Sequence, residues 1–261
     1  MTDTDFGKRF KQQIMHVFNY TVQLLKRHHL RYVACGGTVL GAVRHRDFIP
    51  WDDDIDIYMP RKSYERFCAE FNDPSGRYEL LEPRKTRHYV YTFAKIADTT
   101  TEMVEAWYDN YPIGIYVDIF PVDYVTDDMK ERARVFKRKK LLYKIRRCKI
   151  AHENPLHSRL AWLCYRNLPV SVATIDRWLR SLIVLPQPTQ TVCNMSEAGP
   201  SIRGCFPAED IASMVDITFE GRTYKTMVGY RDYLTRTYGD YMQLPPEDQR
   251  VTHHFEAYMV E

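Results

Sequence analysis

Four aspartates stand within five residues of one another, at Asp52, Asp53, Asp54 and Asp56. Like charges this close need a cationic partner. Isoleucines alternate with the last two, which predicts a half-buried strand that carries Asp54 and Asp56 on one face. Adjacent carboxylates are hard oxygen ligands that suit Mg²⁺ or Mn²⁺. The sequence therefore predicts a metal site at Asp54 and Asp56, with Asp52 and Asp53 either solvated or orienting the loop.

Two adjacent glycines precede this acidic segment. Gly36 and Gly37 follow a short apolar run, which predicts a strand over residues 32–35, and Thr38 comes next. The backbone N–H groups of such a turn, and the N-terminus of a following helix, can bind phosphate. Thr38 is typical of a helix N-cap or of a hydroxyl that contacts phosphate. A phosphate cradle beside a metal-binding aspartate pair is the equipment of phosphoryl or nucleotidyl transfer.

Cationic side chains are candidates for contact with the transferred phosphate. Arg44 and His45 stand about one helix length after the glycine turn, where a positive charge would stabilise a transition state. Arg46 fits a solvated helix end nearly as well. Lys95 lies in a predicted strand, and a lysine buried in a strand usually has an anionic partner. We predict phosphate as that partner.

A third carboxylate is expected because transfer to a hydroxyl usually needs an acid near the attacking oxygen. Asp118 stands in the apolar run from Gly114 to Phe120, where a carboxylate must be hydrogen-bonded, paired or metal-bound. We predict that it is a metal ligand or general base, within about 5 Å of the Asp54 and Asp56 carboxylates. The alternative is a structural aspartate bonded to backbone or to a lysine. Asp123 follows a proline and is predicted to lie in a solvated loop.

Several segments together resemble one known family. The run GGTVLGAVRHRDFIPWDDDIDI, residues 36–57, is similar to the signature of the LicD family of phosphocholine transferases, which includes the fukutin-related proteins. Further family-like pieces are AKIAD at 94–98, VDIFPVD at 117–123 and the stretch 219–246. The resemblance covers most of the chain except about residues 127–190 and is more specific than any single short motif.

The resemblance implies a nucleotidyltransferase-like α/β core, a mixed sheet flanked by helices with the metal site at one edge. It implies metal-dependent transfer of phosphocholine, or a similar head group, from a CDP-linked donor such as CDP-choline. The acceptor would be a sugar hydroxyl of a cell-surface or lipid-linked glycan such as lipopolysaccharide or teichoic acid, and CMP would be released. Two other classes stay open: a nucleotidyltransferase acting on a small molecule or protein, and a non-catalytic glycan- or membrane-binding module.

Composition sets the broad class. With 261 residues and a net charge of +3, the chain is expected to form a single domain, 1–261, with a helical insertion at about 127–190. No nucleic-acid motif is present, and the polar N-terminus predicts no signal peptide. The six cysteines are expected to be reduced thiols of a cytoplasmic protein. A zinc site at Cys193, Cys205, His253 and His254 is a minor alternative, because the spacing fits no standard pattern.

The insertion opens with a strongly basic segment. Residues 130–149 contain eleven Lys and Arg and one acid, interleaved with apolar residues, which predicts a basic amphipathic helix. One interpretation is a solvated helical face, and the other is a surface for anionic membrane lipid or acidic glycan, at the inner face of the membrane. A second helical stretch is predicted over 158–185, broken near Pro169.

Local patterns predict the remaining elements. Helices are predicted over residues 5–29, 62–71 and 230–238, the last ended by Gly239. Strands are predicted over 78–81, 88–96, 101–107 and, as a hairpin around Gly221, over 215–219 and 223–227. Residues 197–207 are predicted to be a loop.

Overall fold

The computed structural model describes residues 5–86, 89–105, 113–151, 156, 158–197, 204–250 and 255–259. Over these residues the protein is a mixed α/β structure whose ten-stranded sheet is flanked by helices, as the sequence predicts. The helices are α1 (Asp5–Arg27), α2 (Gly36–Arg44), α3 (Arg61–Glu70), α4 (Met129–Ile150), α5 (Arg159–Arg166), α6 (Val172–Ile183), α7 (Ala208–Ala212) and α8 (Tyr230–Tyr238), with a 3₁₀ helix at Glu247–Gln249. The strands are β1 (Val33–Ala34), β2 (Asp56–Pro60), β3 (Tyr78–Leu81), β4 (Ala94–Glu105), β5 (Ile113–Val125), β6 (Thr191–Asn194), β7 (Cys205–Pro207), β8 (Met214–Phe219), β9 (Arg222–Met227) and β10 (Phe255–Met259).

The main path through the sheet runs β10-β4-β5-β2-β1-β9-β8. The β2–β5 and β1–β9 pairs are parallel, whereas the other pairs are antiparallel. The strands β2 and β5, which carry the candidate acids, are therefore central. The resemblance implies a metal site at one edge of the sheet, whereas β2 and β5 are interior strands. The position of the metal stays a prediction.

Alternation along β2 and β5 gives the sheet one apolar and one acidic face at this point. Ile57 and Ile119 are fully buried in the main core, which also contains Phe18 of α1 and Phe67 of α3. Successive side chains of a strand point to opposite faces of the sheet. The chain neighbours of Ile57 and of Ile119 therefore point away from α1 and α3. These neighbours include Asp56 and Asp118, so the burial of the isoleucines in the core fixes the face of the sheet on which the two acids lie.

Most locally signalled elements are confirmed. The apolar stripe of α1 is buried, and α5 and α6 are separated near Pro169 as predicted. The β8–β9 hairpin turns at Glu220 and Gly221, whose φ angles are 48° and 66°. The helix α8 ends at Tyr238, and the C-cap residue that follows it is Gly239, with φ 70°. Left-handed backbone of this kind favours glycine, and hence the turn chemistry was readable from sequence.

Strand limits around the site differ from the sequence prediction. The strand β2 begins at Asp56, so Asp54 lies just ahead of it, although burial still alternates through Asp54, Ile55 and Asp56. The strand β4 begins at Ala94 rather than at residue 88, because its pairing with β5 starts at Ala94 and its pairing with β3 ends at Lys95. Residues 101–105 continue β4 after a register shift, and Trp107 is outside the described residues.

Asp123 is the clearest correction. The strand β5 continues past Pro121, and Asp123 is buried within it rather than solvated in a loop. The guanidinium of Arg61 donates to both carboxylate oxygens of Asp123, at 2.7 and 2.6 Å. A fork-shaped cation that neutralises the carboxylate makes this burial possible. Sequence alone could not pair Arg61 with Asp123, which is 62 residues away.

The basic helix α4 packs its apolar residues against the core as expected, but it also buries cations. Three of its cations, seven residues apart, are buried: Arg132, Lys139 and Arg146. Arg132 donates to the Thr126 carbonyl, Lys139 to the Glu197 carbonyl and Arg146 to the Asp176 carboxylate. Burial lowers the pKa of Lys139 to about 8. Cations of this helix therefore hold it to the protein, and only part of its charge faces solvent.

Two of the four residues of the predicted zinc alternative, Cys193 and Cys205, lie next to each other in the sheet. Cys193 and Cys205 are register partners on β6 and β7, so the predicted loop over 197–207 ends in a strand. His253 and His254 lie outside the described residues. The zinc hypothesis stays a prediction.

Within the part of the chain that the structure describes, no helix is both long and apolar enough to traverse a bilayer.

Candidate active site

The glycine turn lies directly against the aspartate segment. Gly36 has φ +55°, and a Cβ atom there would lie 2.6 Å from Asp56 Oδ2. A Cβ atom on Gly37 would lie 2.3 Å from Asp52 Oδ2. The backbone N–H of Cys35 donates to the Asp56 carbonyl at 3.1 Å. Both glycines are thus required by the close approach of a carboxylate, and Gly36 also by its backbone angle.

Replacing Gly36 with alanine is expected to displace the Asp56 carboxylate and to lower donor turnover at least about tenfold, as loss of supporting contacts around metal ligands does. Gly76→Ala is the matched control, because Gly76 has φ +67° but nothing lies within 4 Å of its added Cβ. Left-handed strain of about 1–2 kcal/mol should appear in urea unfolding of both variants. Equal turnover in the two variants would contradict the role of the Gly36–Asp56 contact.

Two hydroxyls fix the turn to its neighbours. The buried Thr38 hydroxyl accepts from the Asp56 N–H at 2.8 Å, so it joins α2 to β2. The Gly36 N–H donates to the Tyr233 hydroxyl of α8 at 3.1 Å. Sequence reasoning assigned Thr38 to a helix cap or to phosphate and missed Tyr233. The helix α2 begins at Gly36 with Cys35 as its N-cap residue, so Thr38 lies inside the helix and the cap assignment is wrong. The phosphate contact of Thr38 stays a prediction.

Three neighbouring carboxylates form the tightest acidic cluster of the described residues. The ligand atoms of Asp52, Asp53 and Asp54 all lie within 4.8 Å of one another, and Asp53 is buried. Asp56 and Asp118 are not members of this group. Sequence reasoning had left the roles of Asp52 and Asp53 open and placed the metal on Asp54, Asp56 and Asp118. Carboxylate oxygens in this number fit a hard divalent cation such as Mg²⁺ or Mn²⁺.

Asp56 and Asp118 begin a row of charges across three strands. Asp56 of β2 is the register partner of Asp118 of β5, which in turn is the partner of Lys95 of β4. The Lys95 ammonium donates to Asp118 Oδ1 at 2.7 Å, and it lies 3.3 Å from the centre of the Tyr116 ring and 4.4 Å from that of Tyr91. Asp118 is therefore the register neighbour of Asp56 and is bonded to a lysine, as the structural alternative expected. Its distance of about 5 Å from the Asp54 and Asp56 carboxylates and its catalytic role stay predictions.

Lys95 has a different partner from the phosphate that the sequence predicts. Its side chain is 1% exposed, and its ammonium contacts the Asp118 carboxylate. A buried ion pair is stable only when its members are matched and hydrogen-bonded. The structure thus assigns to Lys95 an internal anion as partner, and a contact with substrate phosphate remains a prediction that needs movement of this side chain.

The electrostatic field at the site is strongly negative. Burial raises the pKa of Asp56 well above its usual range, and the charges of Asp54, Asp118 and Asp52 raise it further. Desolvation also raises the pKa of Glu197, with Asp54 contributing and Lys139 opposing. The Glu197 carboxylate accepts from the Asn194 side chain at 2.6 Å. Sequence reasoning missed Glu197, since it stands in a predicted loop with no motif around it. The field favours a cation among these acids.

Arg44 and His45 brace α2. The Arg44 guanidinium donates to the carbonyls of Tyr241 at 3.0 Å and Gln243 at 3.3 Å, and to His45 Nε2 at 2.9 Å. Burial and the adjacent Arg44 charge lower the pKa of His45. His45 is therefore neutral at pH 7, and Arg44 is fixed to the segment after α8. Arg46 is exposed with φ 60°, as a helix end would be. The phosphate role of Arg44 and His45 stays a prediction.

The arrangement defines a class. A strand–glycine turn–helix unit next to carboxylates on neighbouring strands of a mixed sheet is the framework of nucleotidyltransferase-fold proteins. The chain belongs to the LicD family. A family model described as LicD/FKTN/FKRP, nucleotidyltransferase domain, matches residues 29–160. The resemblance inferred from the motifs is therefore confirmed.

One relative matches the chain over nearly its full length and another over part of it. The chain is 31% identical to the lipopolysaccharide cholinephosphotransferase LicD of Haemophilus influenzae over 263 aligned residues, covering 94% of this chain and 95% of that protein. It is also 51% identical to an uncharacterized protein of Rickettsia typhi over 107 residues, or 38% of this chain and 33% of that protein. The first similarity spans the helical insertion as well as the acidic site.

Proposed function

We propose that the protein is a metal-dependent transferase. It moves phosphocholine, or a similar phosphorylated head group, from a CDP-activated donor to a sugar hydroxyl of a lipopolysaccharide, teichoic acid or other cell-surface glycan, and releases CMP. The observation that carries the proposal is the glycine turn packed against Asp56 and Asp52. The full-length similarity to a lipopolysaccharide cholinephosphotransferase supports the substrate class.

The acidic cluster fits a resident divalent cation. Asp52, Asp53 and Asp54, whose ligand atoms lie together, would hold it. Asp56, whose pKa the charges of Asp54 and Asp52 raise, would help to hold it, and Mg²⁺ or Mn²⁺ is the ion that suits oxygen ligands. When bound, the cation supplies charge neutralisation for the donor's phosphates. The aspartates by themselves would repel a nucleoside diphosphate, so these residues need that cation to admit the donor.

The chain's own residues divide the remaining work. The turn at Gly36 and Gly37 and the start of α2 orient donor phosphate oxygens through backbone N–H groups. The oxygen of the sugar hydroxyl forms a bond to the head-group phosphorus, and Asp118 accepts the proton of that hydroxyl. The bond from that phosphorus to the CMP oxygen breaks, and CMP leaves with the electron pair. Lys95 donates to Asp118 Oδ1 at 2.7 Å and holds this carboxylate in place on its strand.

We further infer that the reaction takes place in the cytoplasm, at the inner face of the membrane. A single-domain organisation over 1–261 is part of the same proposal. Nothing in the site selects choline over ethanolamine or a polyol, so the donor panel below includes all three head groups.

Incubation with CDP-choline, CDP-ethanolamine or a CDP-polyol, with and without Mg²⁺, is the direct test. CMP release that requires the ion is the expected result. Transfer of the CMP half to an acceptor would instead identify a nucleotidyltransferase. Absence of metal-dependent turnover with every donor, in a preparation that still binds Mg²⁺, would favour the non-catalytic module.

A further inference from the structure

The helix α5 contributes nothing to the core. None of its eight residues, all of which the structure describes, is buried. It is nevertheless a formed helix, capped by Ser158, whose hydroxyl accepts from the Ala161 N–H at 3.2 Å. Helices this short are marginal alone and usually depend on burial of an apolar face. Trp162 and Tyr165 of α5 are half-buried, whereas the side that carries Leu160 and Leu163 is exposed and has no cover within the described residues.

That face is strongly apolar. Leu160 is 73% exposed, and the exposed Leu163 lies three residues further on the same side of the helix. Leu168, also exposed, follows the end of α5. Trp178 of the neighbouring α6 is 48% exposed. Single exposed apolar residues are ordinary, but leucines grouped on the exposed side of a short helix mark an interaction surface.

A cationic stripe of α4 lies beside this helix. Exposed residues at helical spacing form it: Lys130, Arg134, Lys137, Leu141 and Lys144. Leu141 is 48% exposed in the middle of the stripe. The stripe contains no acid, and the one acidic residue of α4, all of which is described, is Glu131.

Direct contacts hold the two helices side by side. The Lys149 ammonium donates to the carbonyls of Arg166 at 3.1 Å and Leu168 at 2.7 Å. The Lys144 ammonium lies 5.4 Å from the centre of the Tyr165 ring. The leucines of α5 and the stripe of α4 therefore belong to neighbouring elements of one insertion.

We propose that this insertion docks the enzyme on an anionic lipid bilayer, with the α5 leucines in the interface and the α4 stripe against lipid phosphates. Charge complementarity and exposed leucines together favour this occupant. An acidic glycan would match the cations but offers no apolar phase for the leucines. The buried cations Arg132, Lys139 and Arg146 fix the orientation of α4 and are not part of the surface. The inference goes beyond transfer chemistry and does not depend on the identity of the donor.

Sedimentation of the full chain with vesicles tests the proposal. We expect binding to equimolar phosphatidylcholine and phosphatidylglycerol, weakening as salt rises, and little binding to phosphatidylcholine alone. The triple substitution Arg134→Gln, Lys137→Gln, Lys144→Gln should lower partitioning on the order of 100-fold, from the contribution of each cation near a charged surface. The matched control removes three exposed cations of α1, Lys8→Gln, Lys26→Gln and Arg27→Gln, and should bind as the wild type does.

The leucines have their own test and control. The pair Leu160→Gln and Leu163→Gln should lower partitioning on the order of tenfold while the circular dichroism spectrum is unchanged. The control is the exposed pair Met214→Gln, at the start of β8, and Val228→Gln, just after β9. Equal binding to both vesicle types, or wild-type binding by the triple or the leucine variant, would overturn the proposal. So would a dimer in sedimentation velocity that the leucine substitutions dissociate, because a second copy would then cover this face.

Discussion

Replacement of Asp56 by asparagine is expected to reduce metal-dependent donor turnover on the order of a thousand-fold, the scale at which preorganised electrostatic groups act. Asp54→Asn should have a similar effect, since its charge is one of those that bear on Asp56. Asparagine keeps the size of the side chain but removes the charge that holds a divalent cation. CMP release with saturating Mg²⁺ is the measurement.

The same substitution is expected to stabilise the metal-free protein. The pKa of Asp56 is raised by burial and by neighbouring carboxylates, so its ionised form is disfavoured in the fold when no cation is present. In EDTA the Asp56→Asn variant should melt at a higher temperature than the wild type. Added Mg²⁺ should stabilise the wild type more than the variant, because a ligand that binds only the folded state raises its melting temperature.

A distant aspartate separates these effects from general loss of charge. Asp216 is exposed on β8, and its carboxylate lies 2.5 Å from the Lys225 ammonium. Asp216→Asn should leave both turnover and the Mg²⁺-dependent melting shift unchanged. Near wild-type turnover by Asp54→Asn and Asp56→Asn would remove the metal site from the proposed mechanism, whatever their stability.

Removal of the Lys95 ammonium is expected to have the second largest effect. Lys95→Met leaves the Asp118 carboxylate buried next to Asp56 without its counter-charge. Breaking one side of a buried ion pair typically costs about 3–5 kcal/mol. We therefore expect a loss of that order in urea unfolding, together with loss of turnover.

The double variant distinguishes a catalytic from a structural Asp118. Lys95→Met combined with Asp118→Asn removes both charges and should recover most of the lost stability. If Asp118 is the general base, as proposed, turnover should stay reduced by about 10²–10⁴-fold. Recovery of both stability and turnover would show that the carboxylate only pairs with lysine.

The same strand offers a matched control pair. Asp123 lies five residues after Asp118 on β5 and on the opposite face, where it is bonded to Arg61. Arg61→Met with Asp123→Asn also removes a buried ion pair, but it removes no residue of the proposed site. This double variant should be folded and should turn over the donor. Loss of turnover in it as well would attribute the Lys95 result to general damage to β5.

The sequence by itself determined the local chemistry and the elements that carry it. The glycine pair, the clustered aspartates and the alternating isoleucines are contiguous, so turn geometry and strand periodicity are written within about twenty residues of chain. The long stripe of α1 and the glycines that end α8 and turn the β8–β9 hairpin are readable for the same reason. Family resemblance also rests on these contiguous runs, which is why the fold class and family could be predicted.

The tertiary structure decided which charges meet. Lys95 and Asp118 are 23 residues apart, and Glu197 and Tyr233 come to the site from the distant segments after β6 and in α8. The same holds for Asp123, which was assigned to a loop, and for the three inward-facing cations of α4. Periodicity shows that a side chain points inward but not which partner it meets there. A buried charge is tolerated only when a long-range contact supplies that partner, and such contacts exist only after the strands have paired.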